Sequence, residues 1–483
     1  MLLKDFEFGF ADATKEYSRN PEIFYKAFCD SRNVVDKLIN SYQYILIGPK
    51  GVGKSAYSAK IQLISQKDNS IVTYPIDLCD FEFTTFAKTS IDENVSGTQK
   101  FKTSWDFIFL WTIYKILYNN LEMKEVADVN DTIHLLDKLG FSIEDGYKND
   151  VTKLSKIKVG TNIKVFDLSY EKEFSTKPNS YIERISLVSE LMLKRLRNIY
   201  LNDRKIIVLI DGLDDVLRYK KNKADIIASM IRSSDYINNY MLKNKQKIKI
   251  VLLIREDIIR MINDPDMNKI IQDDSICLSW DKQLDELKNI VTKRLTLSGI
   301  SECQATNYLN TLFPPKIRQK NYWDYILDFT LYKPRDILQF FKYCQTEYPN
   351  KNKLSLSETQ NVLKVYSNKY FIEEMKNELA GFIDDELIIS IPSVFRRLGG
   401  RQFDVTELNR LTNEQLPNKI SVEKTKEQLL YLFEAGYVGQ LVSNGKNKRE
   451  SVIFKYRNPT ARIDYYQKFI IHRGLHSGLG VRQ

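Results

Sequence analysis

The sequence predicts an α/β fold: a parallel-sheet core that binds phosphate, then a helical lid, then a small domain of helices and a hairpin. Three observations carry this. An apolar strand runs directly into a loop rich in glycine and lysine at residues 45–55. Strand-length apolar runs alternate with helical stretches as far as about residue 280, the pattern of a parallel sheet. Beyond that point the periodicity turns helical, and the last hundred or so residues change character again.

Length and composition set the frame. At 483 residues the chain exceeds one ordinary domain, taking about 150 residues for each. Apolar residues make up 43%, enough for several packed cores. The net charge of +10 suits an acidic partner, and it equally suits a lysine-rich composition with no such partner. Cys29, Cys79, Cys277, Cys303 and Cys344 lie far apart without CxxC spacing, as reduced thiols do. The opening "MLLKDFEFGFADATKEYS" has no apolar stretch of signal-peptide type. The greasiest segment, "WDFIFLWTIYKIL" (105–117), contains Asp106 and Lys115. It falls short of the roughly 18 apolar residues of a membrane span and reads as a buried helix. The expectation is a soluble cytoplasmic protein with no membrane contact.

The strand "YILI" leads into Gly48, Pro49, Lys50, Gly51, Val52, Gly53, Lys54, Ser55 and Ala56. This matches G-x-x-x-x-G-K-[ST] at every fixed position, with helical spacing following in "SAYSAKIQLISQ". Glycines let successive N–H groups turn inward at phosphates, and the helix N-terminus adds partial positive charge. Lys54 can reach the β- and γ-phosphates, and the Ser55 hydroxyl can ligate Mg²⁺. The loop is therefore expected to bind ATP with Mg²⁺.

Such a loop needs a second metal acid at the end of a buried strand. "RKIIVLIDGLDDVL" (204–217) offers Asp211 after an uninterrupted apolar run, which suits a strand covered on both faces. Asp211 would complete the Mg²⁺ shell, and Asp214 or Asp215 could orient and deprotonate the attacking water.

"IDGLDD" resembles the second Walker motif of NACHT-type and related STAND ATPases, in which a small residue follows the metal acid. Most AAA+ enzymes place a glutamate there, where this chain has Gly212. The departure leaves the base open between Asp214 and Asp215 and implies slow, switch-like hydrolysis. "FGFADATKEYSRNPEIF", "GPKGVGKSA", "IDGLDD", "LLIREDI", "LSWDKQLDELKNIVTKRL" and "KPRDIL" follow in that order. Together they resemble prokaryotic P-loop ATPases of AAA+/STAND type with an N-terminal FGxADA box. The resemblance implies that Arg255, ending the strand in "QKIKIVLLIREDIIRM", senses the γ-phosphate. It implies that "KPRD" belongs to the lid: Pro334 packs on adenine, or Arg335 contacts the γ-phosphate. Proline in a first helical turn is also ordinary capping. It further implies a setting among mobile elements and phage defence.

The organisation expected is a helical lead-in at 1–40, an ATPase core at 41–282, a lid at 283–380 and a C-terminal domain at 381–483. Residues from about 122 to 178 are polar and poorly periodic, and read as an insertion on the core. Within the last domain, "DVTELNRL" and "SVEKTKEQLLYLFEAGYV" read as helices, and "YVGQLV" and "VIFKYRN" as strands. The turn between those strands carries Lys446, Lys448 and Arg449. That is a winged-helix outline, which serves either duplex DNA or internal packing. His472 and His476, four residues apart, lack a nearby acid or cysteine and read as structural. The reading is an ATP-hydrolysing switch acting in phage defence or genome maintenance, as a possible homo-oligomer and with an effector protein as partner. The alternatives are a DNA-binding loader or initiator, and a nucleotide-gated scaffold that does not hydrolyse.

Overall fold

A computed structural model describes residues 1–30, 32–79, 81, 83–89, 101–157, 181–213, 223–262, 264, 266–444 and 449–481. The chain forms two compact units, one of residues 32–49 and 57–278, the other of residues 1–31, 50–56 and 279–483.

The first unit is built on a five-stranded parallel sheet of order β2-β3-β4-β1-β5. The strands are β1 (Ile45–Gly48), β2 (Ile71–Asp77), β3 (Lys205–Asp211), β4 (Ile248–Arg255) and β5 (Ser275–Cys277). β1 is buried throughout and β3 is buried from Ile206 to Ile210, as strands covered on both faces must be. This is the parallel-sheet α/β core expected from the apolar runs. The chain leaves β1 for β2 at the far edge and later crosses back to β5 on the other side of β1. Such a reversal opens a crevice beyond the carboxyl ends of the strands, where α/β sheets bind ligands. Gly48 registers with Arg255 there, and Asp77 with Asp211.

The greasy segment is a helix, Lys102–Asn119, buried without a break from Ser104 to Leu117. Its two charges are partnered inside the unit. Asp106 accepts from Lys102 Nζ at 2.7 Å and from Ser233 Oγ at 2.6 Å, and Lys115 Nζ pairs with Asp150 Oδ2 at 2.7 Å. Among the described residues no helix is long and apolar enough to cross a membrane. The expected insertion contains helices Ala127–Lys138 and Tyr147–Ile157, and residues 158–180 lie outside the described set.

The second unit is mainly helical. Helices Leu284–Thr296, Glu302–Leu312, Pro334–Glu347 and Leu356–Tyr366 lead through a π-helical turn, Ser367–Phe371, into Ile372–Leu379. A two-residue ladder, β6 (Lys316–Ile317) with β7 (Lys320–Asn321), interrupts them. Three further helices follow: Asp385–Leu398, Val405–Asn413 and Val422–Glu434. An antiparallel sheet of order β10-β8-β9 comes next, from β8 (Val438–Asn444), β9 (Arg449–Ile453) and β10 (Phe469–Ile471). β9 begins three residues before the strand expected at "VIFKYRN" and ends at Ile453. The N-terminal residues belong to this unit. Leu3 N donates to Lys351 O at 2.8 Å, and Gln345 Nε2 donates to Phe6 O at 2.7 Å.

Both C-terminal histidines are packing residues. His472 is buried, accepts from Gly474 N through Nδ1 at 3.0 Å and shares a 2.9 Å hydrogen bond with the Tyr456 hydroxyl. Burial and the nearby Arg457 hold its pKa well below the usual histidine value.

Candidate nucleotide-binding site

The loop after β1 has the backbone its sequence calls for. Gly51 and Gly53 have φ of +79° and +110°, which side-chain-bearing residues rarely adopt. A Cβ at Gly53 would meet nothing within 4 Å, so backbone conformation alone requires glycine there. Val52 is buried, and its carbonyl accepts from Trp280 Nε1 at 3.1 Å, fixing the crown of the loop. Lys54 opens a 14-residue helix, Lys54–Lys67, and Ala56 N donates to Gly53 O at 2.9 Å. Lys54 is 7% exposed and Ser55 half-buried. Gly48 ends β1, and Pro49 and Lys50 are half-buried beyond it. A glycine loop between a buried strand and a helix N-terminus suits a polyphosphate, because N–H groups turned inward and the helix dipole both favour anions. An anion with Mg²⁺ calls for a cationic donor and an oxygen ligand, and Lys54 and Ser55 carry an ammonium and a hydroxyl at this end of the loop.

The lid motif comes to this loop within the same unit. A Cβ at Gly51 would stand 3.5 Å from Lys333 Cδ and 3.7 Å from Arg335 Cβ and Cδ, ordinary contact distances. Lys333 stands at the N-cap position of helix Pro334–Glu347, and Pro334 occupies its first turn. Each polar residue of "KPRD" is then held by the segment 367–379. Lys333 Nζ pairs with Glu378 Oε1, both side chains 6% exposed. Arg335 Nη1 donates to Glu374 Oε1 at 3.0 Å. Asp336 accepts from the Tyr370 hydroxyl at 2.8 Å and from Leu331 N at 2.9 Å. Burial pushes the Asp336 carboxyl up to about 6, against the pull of Lys333. Burial also works to raise Glu374, yet the charges of Arg335, Lys50 and Lys333 outweigh it and hold that carboxyl below its usual value.

In the sheet unit, Asp211 ends β3 half-buried, and its Oδ1 accepts from Gly212 N at 2.8 Å. Gly212 has φ +82°, and a Cβ there would lie 1.9 Å from Asp77 Oδ1 and 2.7 Å from Cys79 N. The position therefore rejects any side chain, which is the physical reason a glutamate does not follow Asp211. Arg255 ends β4 at 5% exposure, with Nε 3.0 Å from Asp257 Oδ1. Asp214 and Asp215 lie outside the described residues, as do Lys446, Lys448 and the side chain of Arg449.

Sequence reasoning missed Asp77, Glu374 and Glu378. Asp77 registers beside Asp211 and accepts from Cys79 N at 2.9 Å, so it braces the turn against Gly212. The other two had a visible signal: Tyr370, Glu374 and Glu378 stand four residues apart in "YFIEEMKNEL", a single helical stripe.

Three comparisons with known proteins bear on this chain. Residues 285–373, which include the whole KPRD helix, match the family described as the FunZ-associated C-terminal helical domain. The chain is 20% identical over 498 aligned positions to the 80.3 kDa protein ascribed to transposon gamma-delta of Escherichia coli (strain K12), covering 98% of this chain and 67% of that one. Among solved structures, the Aeropyrum pernix ORC2 protein in its ADPNP-ADP complexes aligns over 96% of this chain and 93% of its own, with 10% identity and a TM-score of 0.40. Cdc6p from Pyrobaculum aerophilum aligns over 98% and 95%, with 12% identity and a TM-score of 0.31. These overlays are loose. The assignment of an α/β P-loop core followed by a helical region rests on the sheet order, the glycine loop and the helix it opens.

Proposed function

We propose that the protein is a nucleotide-regulated P-loop ATPase of AAA+/STAND-like type. The observation that carries this is the loop itself: two glycines at positive φ, of which Gly51 lies against Lys333 and Arg335, a carbonyl pinned by Trp280, and a buried Lys54 opening a helix. The backbone of residues 48–56 would cradle the phosphates of ATP, with Lys54 as the charged donor. Mg²⁺, when bound, screens phosphate charge; Ser55 and Asp211 are the residues that would hold it. Asp214 or Asp215 would orient the attacking water. Arg255, held by Asp257, would sense the terminal phosphate from the end of β4. Pro334 would lie toward the base and Arg335 toward the phosphates. Because Gly212 admits no side chain, the base cannot follow Asp211 directly, which supports slow, switch-like turnover.

The C-terminal order of three helices and an antiparallel sheet supports the winged-helix reading. Its wing cations Lys446, Lys448 and Arg449 would meet duplex DNA. The transposon attribution of the E. coli relative supports a setting in mobile elements or genome maintenance; phage defence with an effector partner is the other setting proposed. The second reading is a DNA-binding loader or initiator, which the basic hairpin would serve. The test is solution mass and duplex-DNA affinity, each measured with ADP and with a non-hydrolysable ATP analogue. The switch reading expects one of them to differ between the two states. Identical results in both would leave a P-loop protein without a switch.

A further inference from the structure

The clasp around KPRD places a carboxylate where a phosphate would compete with it. Arg335 lies against Gly51 of the phosphate loop, and its guanidinium is held by Glu374 at 3.0 Å. Lys50, another residue of the same loop, is close enough to act on the Glu374 charge, as is Lys333. Lys333 is itself committed to Glu378, one helical turn further on. All these residues belong to one compact unit.

We infer that Glu374 is a specificity-determining residue of the nucleotide site: it competes with a terminal phosphate for Arg335. A triphosphate takes the guanidinium from it and a diphosphate leaves it in place. This rests on the nucleotide-binding reading of the loop. A phosphate oxygen array carries more charge than a carboxylate and accepts a guanidinium in the same two-pronged geometry, so it can win the exchange. Glu374 keeps electrostatic compensation afterwards, because the charges of Lys50 and Lys333 also act on it. The cost of displacing Glu374 falls only on the ligand that reaches Arg335, so Glu374 lowers ATP affinity and leaves ADP affinity alone.

The exchange also has a path to the C-terminal residues. Glu374 follows the π-helical turn, whose Ser367 hydroxyl donates to Gly474 O at 2.6 Å and accepts from Gly478 N at 2.9 Å. Freeing Glu374 from Arg335 releases one of the three ties between KPRD and the segment 367–379.

The test is calorimetric binding of ATP and of ADP, with Mg²⁺, to the full chain and to Glu374→Gln, which keeps an acceptor oxygen but no charge. The variant is expected to bind ATP about tenfold more tightly, within the usual range of site–site coupling, and ADP within twofold of the parent. Adding Arg335→Ala to Glu374→Gln should remove the gain. Glu374→Asp, which draws the charge back by one methylene, should shift the ATP-to-ADP ratio in the same direction and serves if the glutamine variant does not fold. An equal gain for both nucleotides, an unchanged ratio, or a gain that survives Arg335→Ala overturns the inference alone. A parent chain that binds neither nucleotide overturns the loop reading, and this inference with it.

Discussion

Replacing Glu16 with glutamine should loosen the N-terminal segment from the helix Leu284–Thr296. Glu16 and Arg294 form a two-pronged pair: Nη1 bonds Oε1, and Nη2 donates to Oε2 at 2.7 Å, with side chains only 3% and 6% exposed. Removing one member of such a buried pair costs about 3–5 kcal/mol, because the remaining charge has no water to turn to. Gly9 leaves room for this pair. Its φ is +79°, and a Cβ there would lie 2.6 Å from both Arg294 Nη1 and Glu16 Oε1. Gly9→Ala should therefore cost roughly 2–4 kcal/mol, of which the left-handed backbone accounts for about 1–2. The two changes should add to less than their sum, since both act through one ion pair. Because the chain has two units, the assay is hydrogen exchange read segment by segment. In Glu16→Gln, amides of Ala13–Arg19 and Leu284–Thr296 should exchange about two to three and a half orders of magnitude faster. Strands β3 and β4 should stay protected. Acceleration of less than about fivefold would refute the argument that this pair holds the segment.

Gly212→Ala should destabilise the sheet unit by at least about 2 kcal/mol, from left-handed strain together with displacement of Asp77; an unchanged urea midpoint would contradict this. Asp336 has its folded pKa raised from 3.8 to about 6, so the stability tied to its protonated form is present below pH 4 and lost as pH rises through 6. The stability of the parent relative to Asp336→Asn should thus fall by about 2.4 kcal/mol between pH 4 and pH 7. A gap that does not move with pH would rule out that assignment. Asp211→Ala should impair Mg²⁺-dependent phosphate release, and Asp214→Asn or Asp215→Asn should spare ATP binding while abolishing turnover. Parental rates in both asparagine variants would place the base elsewhere.

Much of the core was legible because its signals are local. β3 and β4 are unbroken apolar runs, and the phosphate loop is contiguous, so strand, loop and helix could be read from residues 45–67 alone. Residues that depend on distant partners were less visible. Glu374 and Glu378 acquire meaning only through Arg335 and Lys333, about forty positions away. Pro392 sits inside the helix Asp385–Leu398, a position where proline removes a backbone donor and where only packing can hold the helix. β10 is three residues long and exists because Phe469–Ile471 pair with β8, a partner that no periodicity in the tail announces.

Equilibrium binding of ATP with Mg²⁺, to the parent chain and to Lys54→Ala, tests the central claim most directly. Lys54 is buried at the start of its helix, the position from which its ammonium would meet the phosphates. Hydrogen bonds to charged groups of this kind are worth about 1.5–3 kcal/mol. Measurable affinity is expected in the parent and a loss of up to about a hundredfold in the variant. ATP bound equally well by the two proteins would mean that this loop is not where the nucleotide sits.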